Sequence, residues 1–301
     1  MITQIITRPD FDGVVCAVLL KEALGTDLPV KWAQPNQIQD GTVITDQNDV
    51  VANLPMNRKC GLWFDHHVSN EIAGSFNGIF RVAPSAAGLV FEYFHEKLRP
   101  RFDLLVEQAD KIDSAQLNLD EIRFPEKYPH ILLSMTIRAA KASDLDYCDH
   151  LIELLRTLAI DQVLADEAVR QRCKDVIKAN QAYFSQLMDH TRVQAEISIT
   201  DFRGQSPVPD GNRFLVYSLF PETVANIKIF NEGPRTVVKL GHSIVNRGCR
   251  VNVGRLLATY GGGGHIGAGA CRLPNTIAEQ SLKEIMDIMA QNRPQENLKT
   301  S

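Results

Sequence analysis

The sequence predicts an α/β protein in which a parallel-sheet catalytic domain is joined by a helical connector to a smaller mixed α/β domain. Short apolar runs alternate with helix-period segments through the first 125 residues, which is how a parallel sheet with crossover helices reads. A long helical stretch follows, and from residue 195 the patterning turns mixed. These changes set expected boundaries of 1–125, 126–194 and 195–301. At 301 residues, 44% hydrophobic and 23% charged, the chain holds enough apolar material for two modest cores.

Residues 2–7 form an apolar strand-like run, and 13–24 a helix apolar nearly all round that Gly25 stops, so the chain opens with a buried βα unit. Further strands are expected at 28–33, 42–45, 60–64 and 78–82, and a helix at 86–98 closed by Pro100. Helical periodicity also covers 103–113 and the connector stretch 149–194. The last third is expected to carry strands at 195–200, 214–219 and 236–242, helices at 252–258 and 278–289, and a polar tail from 291.

No run of about 18 apolar residues occurs, which excludes a spanning helix, and the first residues read as a strand rather than as a secretory leader. The six cysteines lie far apart without a C-x-x-C pair, as free thiols of a cytoplasmic protein do. A net charge of −4 disfavours holding long duplex nucleic acid by phosphate neutralisation. The charge is uneven, however: residues 196–301 hold 12 Lys/Arg against 9 Asp/Glu, and the window 235–272 has six basic residues and no carboxylate. Overlapping a glycine cluster, that window points to anion binding.

The expected strand ends share a chemistry. The first runs into Asp10 and Asp12, the third ends at Asp46, and the fourth ends at Asp65, His66 and His67. Groups at the carboxyl ends of neighbouring parallel strands converge on one crevice. Carboxylates with imidazole and without thiolate suit Mn²⁺ or Mg²⁺ better than a structural zinc, and crowded acids call for cations. Singly, Asp12 could be a helix cap, Asp46 a turn residue and the His pair a surface feature. Their joint placement favours a metal site. Asp10-x-Asp12-Gly13 also matches the nucleophile motif of haloacid-dehalogenase phosphatases, in which Asp10 would be phosphorylated. An EF-hand fails because Lys21 stands where a bidentate Glu is needed, and the G-x-G-x-x-G of 262–267 follows a helix rather than a strand.

Taken in order, Asp10-x-Asp12, Asp46, Asp65-His66-His67, Ala109-Asp110 and the glycine-rich run 261–264 with His265 resemble the motifs of the DHH phosphoesterase family with its C-terminal DHH-associated domain. The resemblance spans nearly the whole chain and extends to nano-RNases, pAp phosphatases and exopolyphosphatase-like members. It implies two Mn²⁺ or Mg²⁺ ions held by Asp10, Asp12, Asp46, His66 and Asp110, with Asp46 bridging. Asp65 would orient a histidine, His67 would contact the phosphate or assist the leaving group, and Gly262, Gly263, Gly264, His265, Arg247 and Arg250 would hold the substrate. Many members have a His where this chain has Ile6, so the ion on Asp10 and Asp46 is expected to be the looser. An Arg that often follows a Ser before the glycine motif is missing after Ser243, leaving Arg247 or Arg250 in its place. Asp113, one helical turn beyond Asp110, is an alternative fourth ligand.

The expected function is therefore hydrolysis of phosphoester bonds in short nucleotides: oligonucleotides, dinucleotides or pAp. Polyphosphate is the alternative substrate, phospho-Asp10 chemistry the alternative mechanism, and a non-catalytic nucleotide-binding regulator the alternative class. The expected partner is a phosphorylated small substrate, without membrane or long duplex; a homodimer is left open.

Overall fold

A computed structural model describes residues 1–25, 28–57, 59–139 and 141–294; residues 295–301 of the expected polar tail lie outside them. The chain divides into two units, one of residues 1–116 and 125–175, the other of 117–124 and 176 onward.

In the first unit the order is β1 (Gln4–Thr7), α1 (Phe11–Leu24), β2 (Val30–Trp32), α2 (Pro35–Gln39), β3 (Asp49–Ala52), β4 (Leu62–Asp65), β5 (Gly78–Phe80), α3 (Ala86–Tyr93), α4 (His95–Leu98) and α5 (Asp103–Asp113). The five strands are parallel in the order β2-β1-β3-β4-β5. Chain direction through the sheet reverses at β1, so a switch point lies at the carboxyl ends of β1 and β3. The middle of α1 is apolar all round because it is buried: Val14 through Leu20 are fully enclosed. It begins hard against the strand end, where a Cβ on Gly13 would come within 1.9 Å of the Arg8 carbonyl oxygen. It ends at Gly25, in the left-handed region at φ 65°.

Two expectations for this unit are corrected. Residues 42–45 are not a strand; the strand of that region is β3, whose Val50 and Val51 are fully buried. Side-chain bonds hold 42–45 as a loop, since Asn57 Nδ2 donates to the carbonyls of Ile38 and Val43 at 2.8 Å each while its Oδ1 accepts from the Thr45 amide. The helix expected over 86–98 breaks into α3 and α4 at Phe94, which leaves helical geometry at φ −111°, ψ 22°. On β4, buried Trp63 stacks on Phe80 at 5.1 Å, meets Phe76 edge-on at 5.0 Å, and donates from Nε1 to the Leu54 carbonyl. Half-buried Trp32 donates to Asp149 Oδ1 at 2.9 Å.

The next helices are α6 (Leu119–Arg123), α7 (Pro129–Thr136), α8 (Ala142–Thr157), α9 (Ile160–Ala165) and α10 (Glu167–His190). Ion pairs tie α8 to α1, with Lys21 on Glu153 and Arg156 on Glu22. The stretch expected as a connector is thus divided, its helices through Asp175 belonging to the first unit and the rest of α10 to the second.

The second unit continues with β6 (Thr191–Gln194), β7 (Ile197–Asp201), α11 (Leu215–Leu219), β8 (Ala225–Glu232), β9 (Arg235–His242), α12 (Val253–Ala258), β10 (Gly263–Gly264), β11 (Ala268–Pro274) and α13 (Ala278–Gln291). Its sheet has the order β10-β11-β9-β8-β7-β6, antiparallel except for β7 beside β8. Ile199, Ile227, Val238, Leu256, Leu282 and Ile285 anchor its core. Residues 214–219, expected as a strand, are helical instead. Asn212 starts the turn, its Oδ1 accepting from the Phe214 amide and its carbonyl from the Leu215 amide. At the end of β7, both Asp201 oxygens accept from the Arg203 guanidinium, which also reaches Glu279. Among the described residues no helix is long and apolar enough to cross a membrane.

Candidate active site

Three neighbouring strands of the first unit deliver polar side chains at their carboxyl ends. β1 leads into Asp10, which caps α1 by accepting from the Gly13 amide at 2.9 Å. Asp12, in the first turn of α1, is buried and faces the N-terminus of α3, where the Ala86 and Ala87 amides donate to it at 3.0 and 2.8 Å. β4 ends at Asp65 and releases His66 and His67. Between them β3 ends before Asn53, whose φ of 57° turns the chain sharply. Asn53 Nδ2 donates to Asp10 Oδ1 at 2.9 Å.

The buried Asp65 carboxylate is saturated by hydrogen bonds. Oδ1 accepts from the His66 amide at 2.8 Å and from His67 Nδ1 at 2.8 Å, and Oδ2 accepts from Asn70 Nδ2 at 2.7 Å. It orients the histidines, and Asp65, His66 and His67 also lie close enough together to share an ion, although Asp65 Oδ1 and His67 Nδ1 are already bonded to each other. His66 Nδ1 lies 3.0 Å from the Ala83 carbonyl oxygen. A carbonyl only accepts, so Nδ1 carries a proton, and in the neutral ring Nε2 carries the lone pair. Nε2 is buried and finds no hydrogen-bond partner among the described residues, yet it lies 3.8 Å from Asp12 Oδ2 and 3.4 Å from Asp113 Oδ2.

In the neutral ring this lone pair faces two carboxylate groups, a repulsion that a proton or a metal cation among them relieves. Asp12, His66 and Asp113 lie close enough together to share one ion. Two carboxylates and an imidazole fit a divalent ion of the Mn²⁺ or Mg²⁺ kind. The electrostatics agree. Burial, then the charges of Asp113 and Asp10, push the Asp12 carboxyl well above its usual range against the pull of the Ala87 and Ala86 amides. Burial also raises Asp10 to about 6, opposed by Arg8 and the Gly13 amide. His67 is raised mainly by its bond to Asp65, against burial.

Not every expected residue joins this group. Asp46 lies at the amino end of β3, the opposite edge of the sheet, in a turn where its Oδ1 accepts from the Asn48 amide and its own amide donates to Asp49. The reason is the displaced strand: with β3 at Asp49–Ala52 rather than 42–45, the carboxyl-end position falls to Asn53. On α5 the structure turns Asp113 toward His66, while Asp110 Oδ1 accepts from Ser85 Oγ at 2.5 Å at the start of α3. Asn53 and Ser85 escaped the sequence reading; the apolar Val50-Val51-Ala52 run directly before Asn53 was the available signal.

In the second unit the glycine run builds a tight hairpin rather than an open cradle. The Gly261, Gly262 and His265 amides donate to Ala258, Leu257 and Ala268 carbonyls, and Gly263 and Gly264 pair with β11. A Cβ on Gly262 would lie 2.3 Å from the Ala270 oxygen. His265, Arg247 and Arg250 are exposed.

Sequence comparison matches no family model and no curated protein. Among solved structures, the chain is similar to a pGpG-specific phosphodiesterase, PggH, from Vibrio cholerae, with 29% identity and a TM-score of 0.85 over 97% of this chain and 100% of that one. The fold is also that of RecJ from Thermus thermophilus in complex with Mn²⁺, at 14% identity and TM-score 0.57 over 97% of this chain and 52% of that one. An exopolyphosphatase-related protein from Bacteroides fragilis shares it at 12% identity and TM-score 0.54, over 96% and 93%. A parallel sheet ending in Asp-x-Asp and Asp-His-His, followed by a mixed-sheet unit with a glycine-rich hairpin, defines a phosphoester hydrolase. The fold and the ordered motifs of this chain are consistent with a DHH-family phosphoesterase.

Proposed function

We propose that the chain is a divalent-metal-dependent phosphodiesterase of short linear nucleotides, with a 5′-phosphorylated dinucleotide such as pGpG as the preferred substrate. The metal reading rests on the buried, unpartnered His66 Nε2 between the Asp12 and Asp113 carboxylates. The substrate class rests on the full-length likeness to the pGpG-specific enzyme. Asp12, His66 and Asp113 would hold the ion, which when bound supplies Lewis-acid stabilisation and a nucleophilic water near neutral pH.

The chain's own groups do the rest. His67, held by Asp65 and kept protonated to higher pH, is placed to donate a proton to a phosphate or departing oxygen. Asp65 sets the tautomer of that ring and the direction of both histidines. Arg247 and Arg250 offer charged donors and His265 a ring N–H donor to a substrate phosphate, while Gly262, Gly263 and Gly264 build the hairpin that presents His265. Asp10 is a poor covalent nucleophile, since Oδ1 already accepts two hydrogen bonds and Oδ2 pairs with Arg8.

One assay panel under Mn²⁺ tests this: pGpG, cyclic dinucleotides, pAp, short RNA and DNA oligomers and polyphosphate. The expected result is a kcat/KM for the linear dinucleotide at least ~10-fold above the others, the scale of one well-placed contact. Preferred cleavage of polyphosphate would move the substrate class. Nucleotide binding without turnover of any member would mark a non-catalytic regulator.

A further inference from the structure

The end of β3 holds a neutral residue where the flanking strand ends hold acids. Asn53 is 2% exposed, and its Oδ1 is buried without a hydrogen-bond partner among the described residues. The orientation of its carboxamide is fixed by Asp10, because a carboxylate only accepts and Nδ2 must be the atom 2.9 Å from Asp10 Oδ1. Asp46, the acid expected to bridge two ions, and Asp49, the acid of β3 itself, both lie at the amino end of this strand, away from Asn53.

Charge and donor capacity point the same way. Asp12 and Asp113 supply the charge that neutralises one dication, and His66 Nε2 supplies a neutral donor beside them. Asp10 is already provided for: Gly13 and Asn53 donate to Oδ1 at 2.9 Å each, and Arg8 Nε lies 3.2 Å from Oδ2. A second dication would have to displace a guanidinium and an amide, and would gain no charge from β3 in return.

Resting on the metal reading above, we propose that this centre holds one divalent ion tightly, at Asp12, His66 and Asp113, and that Asn53 sets that stoichiometry. Its amide occupies Asp10, and its uncharged end denies a second ion the anionic bridge that pairing two dications requires. Asn53 is a positioning residue for Asp10 and a limit on metal loading.

The test is metal binding, independent of turnover. The full chain, stripped by chelation, is titrated with Mn²⁺ alone and followed by calorimetry and electron paramagnetic resonance. One tight ion per chain with the signal of a magnetically isolated Mn²⁺ is expected. Asn53→Asp should tighten binding of a second ion by at least ~10-fold, the scale of changes around metal ligands, and give an exchange-coupled pair. Because a new buried acid can unfold the sheet, Arg8→Gln serves as the second variant; it frees Asp10 from the surface and should tighten the second ion in the same direction. Two tight ions in the unaltered chain, or no gain in a folded Asn53→Asp and Arg8→Gln, would overturn the stoichiometry while leaving metal dependence standing. The absence of any tight ion would overturn both.

Discussion

His67 Nδ1 donates to Asp65 Oδ1 across 2.8 Å, and the same carboxylate fixes the backbone of His66. The first residue of the Asp-His-His triplet therefore acts on its two neighbours through hydrogen bonds. That bond holds the His67 pKa above its usual value. Because the folded-state value is the higher, the pair stabilises the fold fully below about pH 6.5 and the contribution fades as pH rises through the folded value. In chelated protein, Asp65→Asn should bring the His67 titration midpoint, followed by NMR, down toward the ordinary range. The stability gap between the two proteins should narrow with rising pH. An unmoved midpoint would show that Asp65 does not govern this ring.

His66→Ala and Asp113→Asn should each weaken divalent-ion binding by roughly 10–100-fold or more, whereas Asp110→Asn should weaken it only a few-fold. Asp113 lies 3.4 Å from His66 Nε2, while Asp110 is engaged by Ser85. Equilibrium dialysis with elemental analysis decides. A larger loss in Asp110→Asn would return the ligand role to it.

Asp46→Ala should leave metal affinity and turnover within about 2-fold of the parent and change stability by about 1 kcal/mol or less, the scale of a surface turn contact. The residue sits in a turn at the amino end of β3. Loss of a bound ion in this variant would contradict the placement.

Gly264→Ala and His265→Ala should separate architecture from binding. Gly264 has φ 152°, and a Cβ there would lie 2.2 Å from the Ala268 oxygen. The alanine variant should lose roughly 1–3 kcal/mol of stability in thermal melts. His265→Ala, at an exposed position, should melt normally, keep its metal and raise KM more than it lowers kcat. A collapse of kcat at constant KM would place His265 in the chemistry instead.

Arg203→Gln tests a pH-linked contact in the second unit. Burial pushes the Asp201 carboxyl up, but hydrogen bonds and charge from Arg203 outweigh it and hold the pKa below the usual carboxylate range. A depressed folded-state value means the contribution is present above about pH 4 and lost as pH falls through the lower folded value. The variant should be about 1 kcal/mol less stable at neutral pH and converge with the parent in strong acid. Parallel denaturation curves at every pH would show that the pair contributes nothing.

Much of this was legible in the sequence where one signal dominates. The nearly all-apolar 13–24 segment reads as a buried helix, and the acids after β1 and at the end of β4 follow from apolar runs that stop abruptly. The failure at Asp46 came from a β-branched run, Thr42 to Thr45, that Asn57 ties into a loop from twelve or more residues away. No local pattern encodes such a bond. The same error hid Asn53. The choice between Asp110 and Asp113 was undecidable from helical spacing, because it depends on Ser85 Oγ, 25 residues away, capturing one of two acids on a shared face. The glycine run was visible as a motif, but which of its amides stay free is fixed by α12 and β11 closing on it.

Both tryptophans of the chain, Trp32 and Trp63, lie in the first unit, and Trp63 sits in a dry aromatic stack two residues before Asp65. Indole emission is thus an optical channel for one unit alone. The second unit answers only through tyrosines such as Tyr183, Tyr217 and Tyr260, so excitation at the red edge of the absorption band leaves it dark. A single unlabelled sample can report whether the sheet bearing the Asp-His-His triplet melts with its companion or on its own, and the Trp63 quantum yield gives a label-free readout of ions arriving next to that strand.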